Sequence, residues 1–146
     1  WVWHKRRTDF RKFWRQVYNS GIARINLYRK YPDSLKPVHL LPMVFTVGII
    51  FLSLLSLCGI IMLCLPSTKS TGCILLLLGL IPLLLYSTVI CIDSSRQNHS
   101  LKIGLLSIRA AFIQLTGYGC GFISAWWKRC VCGKDEFSAY NKTFYK

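Results

Sequence analysis

The sequence predicts an all-α membrane protein: an amphipathic interfacial helix followed by two or three transmembrane helices. Three observations lead there. First, 53% of the 146 residues are hydrophobic, yet 19 Lys and Arg stand against 5 Asp and Glu, a formal net charge of +14. High apolarity and high charge seldom share one soluble domain, so the two must be segregated along the chain. Second, two long runs contain no charged residue at all. Third, ten of the 19 basic residues fall within positions 1–38. This apolar content excludes intrinsic disorder, the absence of a repeat excludes collagen and coiled coil, and five scattered carboxylates leave little for a self-contained metal-dependent enzyme. The first residue is Trp1 rather than Met, so the sequence reads as a piece of something longer.

The basic segment, 1–38, holds the interfacial helix over about 9–30. Phe10, Phe13, Trp14, Val17 and Tyr18 fall at i, i+3, i+4, i+7 and i+8, one face of a helix, and Arg11, Lys12, Arg15, Gln16 and Asn19 take the other. Aromatic and aliphatic residues opposite Arg and Lys describe a helix lying in the headgroup plane. Thr8 or Asp9 caps its start, and Tyr31-Pro32 ends it, because a residue before proline disfavours the helical region. Lys36-Pro37 is a second stop.

The transmembrane region is 39–127, with spans over about 40–65, 73–92 and 103–127. Leu40 to Leu65 is uncharged for 26 positions and Cys73 to Ile92 for 20. The former is longer than the roughly 20 residues that cross a hydrocarbon core of about 30 Å. Pro82 is tolerated in a membrane helix as a kink. The third stretch carries Arg109 and Gln114, then Gly117, Gly119 and Gly121, and ends in Trp126-Trp127-Lys128-Arg129, the aromatic and basic residues of a membrane interface. It is read as a third crossing, with a re-entrant or interfacial segment as the alternative. Gly117 and Gly121 have the small-xxx-small spacing of close helix packing.

The distribution of Lys and Arg orients the chain. The N-terminal segment is placed in the cytoplasm, the 66–72 loop outside, and the connection at 93–102 in the cytoplasm. A third crossing then puts the 128–146 tail outside, although its five basic residues (Lys128, Arg129, Lys134, Lys142 and Lys146) favour the cytoplasm.

Little here resembles a complete catalytic apparatus. The seven cysteines are scattered, five of them through apolar segments, and Cys130-Val-Cys132 has no second pair for zinc. His4, His39 and His99 are far apart, and His39 reads as interfacial. Asp135-Glu136 sits in a polar tail. The triplets at Asn98 and Asn141 fit glycosylation but are too short to carry weight. A basic helix could serve nucleic acid, but this one abuts membrane spans and carries no nucleic-acid motif, so no such partner is expected. What the chain offers is fixed cations at a bilayer surface, chemistry suited to diphosphates of nucleotides or lipids.

His4 through Arg24 (HKRRTDFRKFWRQVYNSGIAR), Tyr31 through Pro42 (YPDSLKPVHLLP) and Gly117 through Phe122 (GYGCGF) together resemble the C-terminal membrane region of bacterial family 2 glycosyltransferases of the GT-A type. The likeness covers nearly the whole chain and is most specific from Lys5 to Pro42. It implies a parent enzyme of the cytoplasmic membrane, multi-pass, active in cell-envelope polysaccharide biosynthesis. An upstream GT-A domain would bind a nucleotide sugar with Mg²⁺ or Mn²⁺, and this chain, with no catalytic residue or cofactor of its own, would be the membrane-anchoring module. The resemblance implies that Arg7, Lys12, Arg15, Gln16 and Arg24 bind the substrate diphosphate or a lipid phosphate. Gln16 matches the Gln of the Gln-x-x-Arg-Trp pattern of processive synthases, but Asn19 and Ser20 replace its Arg and Trp, so addition of a single sugar is at least as good a reading. Two other classes compete: a non-enzymatic membrane anchor or partner subunit with a basic cytosolic collar, and a transporter fragment. The two uncharged spans argue against the transporter; Arg109 is its one candidate pathway residue.

Overall fold

A computed structural model of the protein describes residues 9–133, and every described element is helical. Helix α1 spans Phe10–Lys30. Of the two candidate caps, Asp9 takes the role: its Oδ1 accepts the Arg11 backbone N–H at 2.9 Å, satisfying one of the donors a helix start leaves open. Tyr31 turns extended ahead of Pro32 and closes α1 by donating its N–H to the Leu27 carbonyl at 2.7 Å. Two short 3-10 turns, Pro32–Ser34 and Pro37–Leu40, lead into α2 at Leu41–Leu63.

Helix α3, Lys69–Asn98, follows a tight turn in which the Thr68 hydroxyl donates to the Met62 carbonyl at 3.0 Å. It continues through Pro82 and runs past the end of the apolar stretch. The expected polar connection at 93–102 is therefore mostly helix. Gln97 donates to Asp93 at 3.0 Å and Asn98 to the Ser94 carbonyl at 2.9 Å, both four residues back along α3. The chain leaves α3 only at His99, which adopts the left-handed conformation at φ 49°. Helix α4 then spans Leu101–Trp126 and widens into a π-turn over Trp127–Val131.

The protein is thus an all-α, multi-pass type of chain, with three helical segments long and apolar enough to cross a membrane. These are Pro37–Leu63, Pro66–Asn98 and Leu101–Val131, with mean hydropathies of 2.6, 2.5 and 1.2.

The chain divides into two compact units. One, Val47–Ala111, contains most of α2, all of α3 and the start of α4. Gly59 of α2 faces Leu76 and Gly72 of α3, and Gly79 of α3 faces Leu52 and Ser56, so the two helices run antiparallel. A Cβ on Gly59 would lie 2.6 Å from the Leu76 backbone nitrogen, which is why that position cannot carry a side chain without separating the helices. Their outer faces present Ile50, Phe51, Leu54, Leu84 and Val89, all more than half exposed. So much exposed apolar surface needs an apolar surround, and a lipid bilayer supplies one. Near the α3–α4 turn, Gly104 lies against Cys91 and Ser95, and the Ser94 and Ser107 hydroxyls meet at 2.6 Å.

The other unit holds α1, the two 3-10 turns, the first turns of α2 and α4 from Phe112 onward. It contains the buried hydrophobic cluster of the described residues: Ile22, Ile25, Phe122 and Ala125, flanked by Tyr18, Leu35, Leu40, Met43 and Tyr118.

Candidate functional site: a polar recess beside the basic helix

Three faces of α1 divide the work in this unit. Tyr18, Gly21, Ile22 and Ile25 turn toward α4. Trp14 lies over Gly117, Tyr18 meets Gly121, and Gly21 meets Tyr118 and Phe122, so residue numbers rise together and the two helices run parallel. A Cβ on Gly21 would stand 2.8 Å from the Phe122 backbone nitrogen and closer still to the Tyr118 carbonyl oxygen. The expected close packing at Gly117 and Gly121 is thus present, and its partner is α1.

Gly119 points to the other side of α4, against the Pro42 carbonyl and Thr46 of α2. Thr46 shares its hydroxyl hydrogen between the Pro42 carbonyl at 2.8 Å and the Leu115 carbonyl of α4 at 3.3 Å. The Phe45 and Phe112 rings tilt together at 5.9 Å between centroids. These contacts hold the first turns of α2 against α4 between Phe112 and Gly119.

Between the three segments lies a recess of about 410 Å³, within the range of small-ligand pockets. Helix α1 contributes Phe13, Gln16, Val17, Ser20 and Arg24; Val38, His39 and Pro42 come from the start of the α2 segment; Gln114, Leu115 and Tyr118 come from α4. Gln16, Ser20 and Arg24 are spaced by four, which stacks them along one strip of α1. The Ser20 hydroxyl donates to the Gln16 carbonyl at 3.0 Å. The turn that starts at Pro37 fixes His39: its Nδ1 accepts the Lys36 backbone N–H at 3.0 Å, which leaves Nε2 to carry the proton of the neutral ring. The Tyr118 hydroxyl is buried with no hydrogen-bond partner among the described residues, and such a group is costly to leave unpaired. Asn26 Oδ1, Ser34 Oγ and Arg129 Nε share that condition but do not line the recess.

Of the residues expected to bind phosphate, the structure brings Gln16 and Arg24 together in this recess. Lys12 and Arg15 are exposed and do not line it; Lys12 lies on the same strip one turn before Gln16, short of the recess. Arg7 lies outside the described residues, as do His4, Thr8, and Lys134, Asp135, Glu136, Asn141, Lys142 and Lys146 of the tail. Four polar contributors were not anticipated: Ser20, His39, Gln114 and Tyr118. Gln114 had a visible signal, since it is an amide inside an apolar run. The others become neighbours only through the packing of α4 on α1.

Chemically, the lining offers one guanidinium, several uncharged donors and a wall of Phe13, Val17, Val38, Pro42 and Leu115. Among the described residues, no carboxylate lines it. The chemistry of such a set suits an anion that carries an apolar or hydroxylated group. Among the described residues no three His, Cys, Asp or Glu side chains cluster, and the cysteines are all free thiols. No protein-family model, curated protein or solved structure matches the chain.

Proposed function

We propose that this chain is the C-terminal membrane module of a bacterial family 2 glycosyltransferase, which transfers a sugar from a nucleotide-sugar donor to a lipid-linked or polysaccharide acceptor at the cytoplasmic face of the inner membrane. The observation that carries the reading is the recess: Gln16 and Arg24, two positions that the family resemblance marks for phosphate, line one pocket with His39, Gln114 and Tyr118.

In the intact parent, an upstream GT-A domain would hold the nucleotide sugar, and a Mg²⁺ or Mn²⁺ bound there would supply positive charge for the diphosphate. An acceptor oxygen attacks the anomeric carbon, and the bond from that carbon to the diphosphate breaks. The attacking oxygen's proton passes to a carboxylate of the upstream domain. Within this chain, Arg24 pairs with a phosphate of the leaving group or of the lipid acceptor, and Gln16 and Gln114 orient the groups beside it. Lys12 and Arg15 face outward, where they hold the module to anionic headgroups.

That outward placement is also what a non-enzymatic anchor or partner subunit would have, so the test must separate the two. Membranes from cells that make the full-length parent, supplied with radiolabelled nucleotide sugars, are expected to build label into a lipid or polysaccharide fraction, and an acidic GT-A domain is expected in frame before Trp1. A start codon at or just before Trp1, or membranes that build in no label, leaves the anchor reading.

A further inference from the structure

We propose that the second half of α4 lies beside α1 in the headgroup layer of a single leaflet, so that the chain leaves α4 on the same membrane face at which it enters α2. Length and composition alone allow α4 a full third crossing, although its mean hydropathy of 1.2 is half that of the other two segments. The geometry of the α1 unit points elsewhere.

Helix α1 cannot sit in hydrocarbon. It carries Arg11, Lys12, Arg15, Arg24, Arg29 and Lys30 along 21 residues, and all but Arg24 are exposed; charged side chains at that depth are strongly disfavoured. It belongs at the interface, with its basic side chains toward phosphates. Helix α4 is packed on it in parallel, from Trp14 against Gly117 to the Ile22, Ile25, Phe122 and Ala125 cluster, with backbones in contact at Gly21 and Gly121. Two helices joined backbone to backbone over that length share one depth in the bilayer.

The end of α4 gives an independent argument. The exposed Trp126 and Trp127, then Lys128 and Arg129, follow in the order that marks a membrane surface. The arrangement also removes a conflict in the charge pattern: a third crossing would carry the basic tail away from the basic N-terminal segment.

Native cysteines can test this in the intact chain. Cys64 lies in the turn after α2, while Cys130 and Cys132 follow α4, and all three are exposed. Sealed vesicles of one orientation are treated with a membrane-impermeant maleimide, and labelled peptides are identified by mass spectrometry before and after permeabilisation. Cys130 and Cys132 are expected to label from the face opposite to Cys64, together with a cysteine introduced by Ser100→Cys at the start of α4. If Cys64 does not react, Ser67→Cys supplies the marker for that face. Labelling of Cys130 and Cys132 from the face of Cys64, from both faces, or opposite to Ser100→Cys overturns the proposal.

Discussion

The two units of this protein bring helices together by the same device and use the contact differently. In the α2–α3 unit, Gly59, Gly72 and Gly79 let backbones meet, and the outer faces present Ile, Leu, Val and Phe to lipid. In the α1 unit, Gly21 and Gly121 again let backbones meet, but the contact seals a small core on one side and leaves a polar recess on the other. The first contact needs only to hold two spans together. The second positions Arg24, His39, Gln114 and Tyr118 from three segments around one space. Close packing is therefore common to both, and function is expected where packing leaves polar groups unpaired.

The largest effect should come from closing that second contact. Gly21→Val has no room beside the Tyr118 and Phe122 backbone, so α1 must separate from α4 at a cost of about 1–3 kcal/mol, and the recess is lost with it. Thermal unfolding in detergent should show the destabilisation, and sugar transfer by the parent should fall below about a tenth, a loss of roughly 1.4 kcal/mol in transition-state stabilisation. Gly59→Val should destabilise to a similar extent yet leave more of the transfer activity in whatever protein stays folded. Equal losses of activity per folded molecule would erase the distinction between the units.

Next in size is Tyr118→Phe. Removing an unpartnered buried hydroxyl should leave stability within about 0.5 kcal/mol of the parent or raise it. If that hydroxyl binds substrate, the acceptor KM or the rate should worsen by about two- to tenfold, the value of one hydrogen bond. Unchanged kinetics would remove Tyr118 from the site.

Smaller still is Thr46→Val. It deletes the Thr46 bond to Leu115, and hydrogen bonds between membrane helices average about 0.6 kcal/mol. Ser56→Ala in the other unit should cost less, because that hydroxyl bonds only the Leu52 carbonyl of its own helix at 2.9 Å. Thermal midpoints of the two variants order them directly.

Much of this architecture was legible in residue order. The Asp9 cap and the Tyr31-Pro32 stop delimit α1, and uncharged runs delimit the cores of α2 and α3, because those signals are local. The extension of α3 through Asp93–Asn98 was not legible: a polar stretch reads as a loop until the side-chain bonds within one helical turn are seen. For the recess, Gln16 and Arg24 were marked in advance only through the family resemblance. His39, Gln114 and Tyr118 were not, since they come from segments far apart in sequence and meet only because Gly21, Gly119 and Gly121 allow α4 to settle against α1 and α2 at once. Arg15, adjacent to Gln16 in sequence, and Lys12, one turn before it, both fall outside the recess.

That separation of neighbouring cations gives the most direct measurement of the central claim. Arg24→Ala and Arg15→Ala are made in the full-length parent, and sugar transfer is measured in membranes at matched expression. Loss of the guanidinium in the recess should lower transfer about 10- to 100-fold, as expected for one charged hydrogen-bonding group, while loss of the exposed one should lower it by less than about threefold, as for a surface charge. Equal effects, or a larger effect at Arg15, would contradict the assignment of the recess as the part of this module that meets the substrate.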